Sequence, residues 1–189
     1  MYTPAFERAV DHAMKYEVGG FWNQNAPGVA DGTGLKACGY VNDPADAGGE
    51  TKFGISKRAN PTVNIRSLTW AGAKDIYYHS YWIPGKCDRL SAPIALIHFD
   101  GCVNHGVGTA AKHLQAALGV TADGDIGPKT LAAARTADHT HVCNSIADQR
   151  VEFYKRIVAR NPSQSRFIKG WLRRISELRS YSTDPANFI

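Results

Sequence analysis

Apolar positions recur at helical spacing along most of this chain, and one glycine- and asparagine-rich stretch breaks the rhythm. Phe6, Ala9, Val10, Ala13 and Met14 fall on one face of a 3.6-residue period. Thr3-Pro4 supplies the N-cap and first-turn proline that open such a helix, and Gly19-Gly20 should close it. Over residues 67–82, Ala73, Ile76, Tyr77 and Tyr81 repeat the pattern before Pro84-Gly85 stops it. Residues 91–103 (SAPIALIHFDGCV) are apolar nearly all round, which predicts a helix buried on every side. Further helices are expected over 109–118, 128–136, 141–160 and 164–181, the last two parted by Asn161-Pro162. Between 21 and 64 only Gly39-Tyr40-Val41 and Lys52-Phe53-Gly54-Ile55 are β-prone, so loops and one small hairpin are expected there. The fold class is mainly α: a helical bundle around a central buried helix, with a small N-terminal β-hairpin or sheet.

Composition narrows the chemistry. With 189 residues and 43% apolar content the chain can bury a core without staples. Cys38, Cys87, Cys102 and Cys143 stand far apart with no C-x-x-C pair, so free, partly buried thiols are expected, not a structural zinc site or a disulfide framework. The start of the chain has neither the basic segment nor the apolar run of a secretory signal, and no stretch reaches the ~20 apolar residues of a membrane span, so synthesis and folding in a cytoplasm are expected. The net charge of +5 is concentrated at one end: residues 150–189 hold nine Lys/Arg against three acidic residues. That excess suits an anionic surface, but no docking motif for nucleic acid accompanies it. On the last helix, Ile168, Trp171, Leu172, Ile175 and Leu178 form an apolar face. Arg173, Arg174 and Arg179 are read on the other side, either as a solvated face or as a contact for anionic lipid or wall polymer.

Two segments carry catalytic chemistry. Glu17 sits at the C-terminal end of the first predicted helix, where the helix dipole disfavours ionising a carboxylate, as a general acid requires. Downstream, acidic residues, a Gly-Gly turn and Thr51 precede a β-prone run over 42–56, which would display carboxylate and hydroxyl groups from a hairpin. Glycoside hydrolysis needs such a partner for the acid, a second group that activates water or attacks the sugar. Taken singly, a solvated glutamate and a polar turn remain the alternative readings.

Together, Glu17, Gly19-Gly20 and the run Tyr40-Val41-Asn42-Asp43-Pro44-Ala45-Asp46-Ala47-Gly48-Gly49-Glu50-Thr51-Lys52-Phe53-Gly54-Ile55-Ser56 resemble glycoside hydrolase family 108, the phage N4-type endolysin muramidases. Phe99-Asp100-Gly101-Cys102-Val103-Asn104-His105-Gly106, Leu114-Gln115-Ala116-Ala117-Leu118-Gly119 and Asp123-Gly124-Asp125-Ile126-Gly127-Pro128-Lys129-Thr130-Leu131 resemble the peptidoglycan-binding half that accompanies it. The resemblance implies a lysozyme-like α+β fold and cleavage of the β-1,4 bond between N-acetylmuramic acid and N-acetylglucosamine, without a metal or organic cofactor. It implies Glu17 as the indispensable acid. A similarity to the Glu/Asp/Thr set of phage T4-type lysozymes adds Asp46 and Thr51 as water-positioning partners. Tyr40, Asn42 and Gly49 are expected to line the substrate site, with Asn104 and His105 as further sugar contacts, although an Asn-His pair at this point also reads as a helix cap.

The expected organisation is a catalytic part over 1–90, a peptidoglycan-binding part over 91–181 packed into the same globule, and a tail over 182–189. The expected protein is a monomer that waits in a host cytoplasm until a holin lesion admits it to the wall. This chain departs from the family pattern in having Val18 after the acid and some 20 extra residues within 21–39, expected to form a flexible flap beside the glycan cleft. A zinc amidase is the competing enzyme, but the seven histidines show no metal-ligand spacing. A non-catalytic wall-binding or regulatory protein could keep the fold and lose the acid; the presence of Glu17 together with the 46–51 Asp-x-Gly-Gly-x-Thr segment argues against it. Asp123-Gly124-Asp125-Ile126-Gly127 lacks the alternating ligands and closing Glu of a calcium loop and reads as a tight turn.

Overall fold

The computed structural model describes residues 1–19, 22–42 and 49–188. Among them seven α-helices and one two-stranded antiparallel sheet are formed: α1 (Pro4–Glu17), β1 (Thr51–Lys52), β2 (Ile55–Ser56), α2 (Trp70–Tyr77), α3 (Ala92–His105), α4 (Val107–Ala117), α5 (Pro128–Thr136), α6 (His139–Arg160) and α7 (Ser165–Thr183). The helices match the periodic segments to within a few residues, so the mainly α, lysozyme-like class holds. Local chemistry sets the ends. Thr69 caps α2 by accepting from Gly72 N, Asp138 caps α6 by accepting from His141 N, and prolines open α1, α3 and α5.

The chain divides into two compact units. One comprises Val10–Ser80 with Tyr2; the other takes Met1, Thr3–Ala9 and the chain from Tyr81 onward, so that α1 contributes residues to both.

In the hairpin unit, Val10, Ala13 and Met14 of α1 join Val29, Cys38, Phe53, Ile55, Ile65, Trp70, Ala73 and Tyr77 in the core. β1 and β2 pair Thr51 with Ser56 and Lys52 with Ile55, and Val41 bridges to Thr51 as a third rung. The extra segment after α1 is not a loose flap. Val29 and Cys38 are fully buried, Trp70 N donates to Ala30 O, and Trp22 packs edge-on against Trp70 while its Nε1 donates to Asp11 Oδ1 at 2.6 Å. Lys52 ties the segment to the sheet: its buried ammonium donates to the carbonyls of Gly32 and Arg66, each at 2.7 Å. Glycine and asparagine here serve closely packed turns, which composition alone cannot tell from a mobile loop.

In the helical unit, α3 is the central element, with Ile94 through Cys102 buried without interruption and α4, α6 and α7 packed around it. A helix enclosed on all sides must neutralise any charge it carries, since an unpaired buried charge costs several kcal/mol. Asp100 of α3 receives Arg150 Nη2 at 2.7 Å and Arg174 Nη2 and Nε at 2.9 and 3.1 Å. Burial would raise the Asp100 pKa, but Arg174 and Arg150 outweigh it and hold the carboxyl well below the usual range. Arg174 therefore does not belong to an exposed basic face; it is a core residue, as is Arg150. On the surface of α7, Arg173 lies 3.8 Å from Glu177, and Arg179 pairs with Asp148.

Candidate active site

Glu17 closes α1. Val18 N still donates to Met14 O, and Gly19, at φ +72°, turns the chain out of the helix. The carboxylate meets the tip of the hairpin. Between β1 and β2 the chain reverses in two residues, Phe53 (φ +52°) and Gly54 (φ +71°), both left-handed as the right-handed twist of a tight hairpin demands. A methyl group at position 54 would lie 2.9 Å from Glu17 Cβ, 3.2 Å from Glu17 Oε2 and 2.8 Å from the Tyr77 hydroxyl. Only glycine allows this approach.

Phe53 is an unusual choice for its position, because a left-handed conformation costs a side-chain-bearing residue roughly 1–2 kcal/mol. Its surroundings hold it there. The ring is fully buried and packs on Trp70 and Trp22, its N–H donates to Cys38 O at 2.7 Å, and its carbonyl accepts the Tyr77 hydroxyl at 2.8 Å. Such fixed strain is characteristic of functional turns. Here it fixes the backbone that touches the Glu17 carboxylate.

The other residues singled out from the sequence distribute as follows. Thr51 lies on β1, its backbone paired both ways with Val41 and its hydroxyl donating to Gly49 O at 3.3 Å. Tyr40 donates to Glu50 Oε1 at 2.6 Å, and the Arg66 guanidinium lies over its ring. Asn42 is exposed, and Gly49 takes a left-handed turn at φ +69°. Glu17, Tyr40, Asn42, Gly49 and Thr51 thus belong to one unit, all near or on the hairpin. Asp46 lies outside the described residues.

Asn104 and His105 belong to the helical unit, at the end of α3. Asn104 Oδ1 accepts the Tyr154 hydroxyl at 2.6 Å, and His105 Nε2 accepts Arg150 Nε at 3.1 Å amid the rings of His113, Phe153 and Tyr154. Burial, and then Arg150, push the His105 pKa down to about 3, so its ring is neutral and serves as an acceptor.

Two arrangements of the helical unit escaped the sequence reading. Buried Gln115 clamps the Asp123–Asp125 turn, donating to Asp123 Oδ1 at 2.6 Å and Asp125 O at 2.9 Å while accepting from Gly124 N at 2.8 Å. Beside it opens a cleft of about 580 Å³ lined by Gln115, Thr121, Asp123, Asp125 and Thr130. The turn is as expected; its side-chain clamp, eight residues back on α4, is not visible locally. Secondly, Cys87, His98 and Cys102 converge in the core with their ligand atoms all within 4.8 Å of one another. The one local signal for this is the four-residue spacing of His98 and Cys102, which puts both on one face of α3.

Residues 34–106 match the family model described as Glycosyl hydrolase 108, and residues 109–176 match the one described as Predicted Peptidoglycan domain. Among solved structures, SagA of Brucella abortus superposes with a TM-score of 0.70 and is 30% identical, covering 94% of this chain and 92% of that one. No curated protein sequence matches. Glu17 lies ahead of the stretch matched by the hydrolase model, on the far side of the extra segment.

Proposed function

The chain belongs to the glycosyl hydrolase 108 family, a family of N-acetylmuramidases, and from that premise we propose that Glu17 is its proton donor. The enzyme is a glycoside hydrolase acting on bacterial peptidoglycan, with a peptidoglycan-binding segment following the hydrolase segment. The observation that carries the assignment is the seating of the Glu17 carboxylate against Gly54, on a hairpin tip whose strained backbone is fixed by Tyr77, Trp22 and Trp70. A general acid must be held in one place to protonate a leaving oxygen, and this carboxylate sits on rigid elements, not on a loop.

In the proposed reaction Glu17 delivers its proton to the glycosidic oxygen between N-acetylmuramic acid and N-acetylglucosamine. Meanwhile a water held by Asp46 and Thr51 attacks the anomeric carbon from the opposite face, with inversion. Tyr40, Asn42 and Gly49 would border the sugar. The likeness of the 40–56 and 99–131 motifs to phage endolysins supports a role in host lysis, the chain reaching the wall from the host cytoplasm through a holin's lesion. A contact with anionic lipid rests on exposed Lys169 and Arg173 of α7, because Arg174 is tied to Asp100.

The test is mass spectrometry of fragments released from purified sacculi. The native chain should liberate muropeptides with new reducing muramic acid ends, and Glu17→Gln should lower the rate by about 10²–10⁴, the usual worth of a general acid. New peptide amino termini on intact glycan strands, or a Glu17→Gln variant as fast as the native enzyme, would overturn the assignment.

A further inference from the structure

The Cys87, His98 and Cys102 group plays no part in the reaction above, yet its composition is that of a metal-ligand set. Cys87 opens a short 3-10 turn, Cys87–Arg89, while His98 and Cys102 sit one turn apart on α3. All three are buried, with residue exposures of 1%, 1% and 0%. Their ligand atoms lie within 4.8 Å of one another, and Cys102 Sγ is 3.5 Å from His98 Nε2. A tetrahedral zinc ion with ordinary Zn–S and Zn–N bonds requires a sulfur-to-nitrogen edge of about 3.6 Å. The protein already holds that edge.

The surroundings are shaped to the same end. A methyl group at Gly85 would lie 2.7 Å from Tyr81 O, 2.9 Å from Cys102 Sγ and 3.2 Å from Cys87 Sγ, so glycine lets the backbone turn tightly against Tyr81 and pass beside the two sulfurs. The Gly85 carbonyl oxygen, 3.0 Å from His98 Nε2, is an oxygen donor on the same side of the ring. Two thiolates with a neutral imidazole cancel a divalent charge, so the filled site would be neutral, as a group enclosed in an apolar core must be. Thiolate and imidazole together select zinc over the oxygen-seeking divalent ions.

We propose that Cys87 Sγ, Cys102 Sγ and His98 Nε2 bind one zinc ion, with the Gly85 carbonyl at the fourth position, as a structural clamp between the 85–89 turn and α3. Binding releases the two thiol protons to solvent and leaves the His98 proton on Nδ1. Enclosure leaves no open position for substrate, so the ion serves stability and not hydrolysis. The ligand spacing, ten residues and then three, matches no zinc-finger pattern, which is why the cysteines read as unrelated thiols in the sequence.

The full-length chain, produced in zinc-supplemented medium, should carry one zinc per molecule by elemental analysis. Exchange for Co²⁺ should give the intense near-ultraviolet thiolate-to-cobalt band and the visible bands of a tetrahedral ion. Cys102→Ser and His98→Gln should abolish the cobalt spectrum, whereas Cys143→Ser should retain it, and chelation should lower the melting temperature. Should Cys102→Ser fail to fold, the zinc content and cobalt spectrum of the unsubstituted chain decide the matter alone. A metal-free chain with both thiols free for alkylation after denaturation would overturn the proposal, as would a chain two hydrogens lighter with Cys87 and Cys102 joined in one disulfide-linked peptide.

Discussion

The acid at the end of α1 depends on a residue that has no side chain. Gly54→Ala would place a methyl within 3 Å of both Glu17 and the Tyr77 hydroxyl and would force alanine into a left-handed backbone. Displacing a catalytic group by about 1 Å costs on the order of 10²-fold in rate. Gly54→Ala should therefore lower muropeptide release by roughly 10- to 100-fold while the far-ultraviolet circular dichroism stays native; unchanged turnover would mean that the turn does not position Glu17. Asp100 is the corresponding residue of the helical unit. Asp100→Asn removes the charge that compensates Arg150 and Arg174, and stranding a buried charge costs about 3–5 kcal/mol. For a chain of this size that is a melting temperature lower by roughly 6–20 °C, readable by calorimetry. Residue identity alone pointed to Glu17, since an acid before a glycine pair at a helix end is a local feature. The pairing of Asp100 with residues 50 and 74 positions away has no local signature.

Among the elements, the hairpin and the segment before it form one construction. Lys52 is fully buried on β1 and serves two carbonyls of neighbouring loops, and burial pushes its pKa down. Lys52→Met fills the same volume but leaves Gly32 O and Arg66 O without that donor. The expected loss is about 1–3 kcal/mol, the penalty for leaving buried polar groups unsatisfied, together with faster proteolysis within residues 22–39. Stability and cleavage at native levels would show that the segment holds to the sheet by its apolar contacts alone. Helix ends and the site of the hairpin were legible in the sequence because caps, prolines and two-residue alternation act over a few positions. The packing of the 22–39 segment was not. Its glycines and asparagines are equally compatible with a loose loop, and only the burial of Val29, Cys38 and Lys52 distinguishes the two.

At the scale of the whole molecule, stability should depend on pH through groups buried in the helical unit. Burial first, then Arg150, lower the pKa of His105 to about 3 and that of His113 to about 4. An unfolded histidine titrates near 6.5. As pH falls below that value the unfolded chain takes up protons that the folded chain refuses, so stability declines steadily from about pH 6.5 toward pH 4. Asp100 adds to the loss in stronger acid: its folded pKa lies below the unfolded value, so its contribution drains away as pH falls below the ordinary carboxylate range, where the unfolded carboxyl takes up a proton that the folded one refuses. Melting temperatures measured from pH 7 to pH 4 should fall, and His105→Gln should make the fall shallower; an identical slope in the variant would remove His105 from the linkage. By itself the sequence determined the helices, the all-round burial of α3, the site of the hairpin and the position of Glu17 at the end of α1. Each is written in the spacing of neighbouring residues, where a 3.6-residue period or a capping group acts. The tertiary structure alone decided that Arg150 and Arg174 are core residues, that Gly54 seats Glu17, that the extra segment is packed, and that Cys87 meets His98 and Cys102. Those outcomes depend on which distant surfaces exclude water together, and local periodicity carries no information about that.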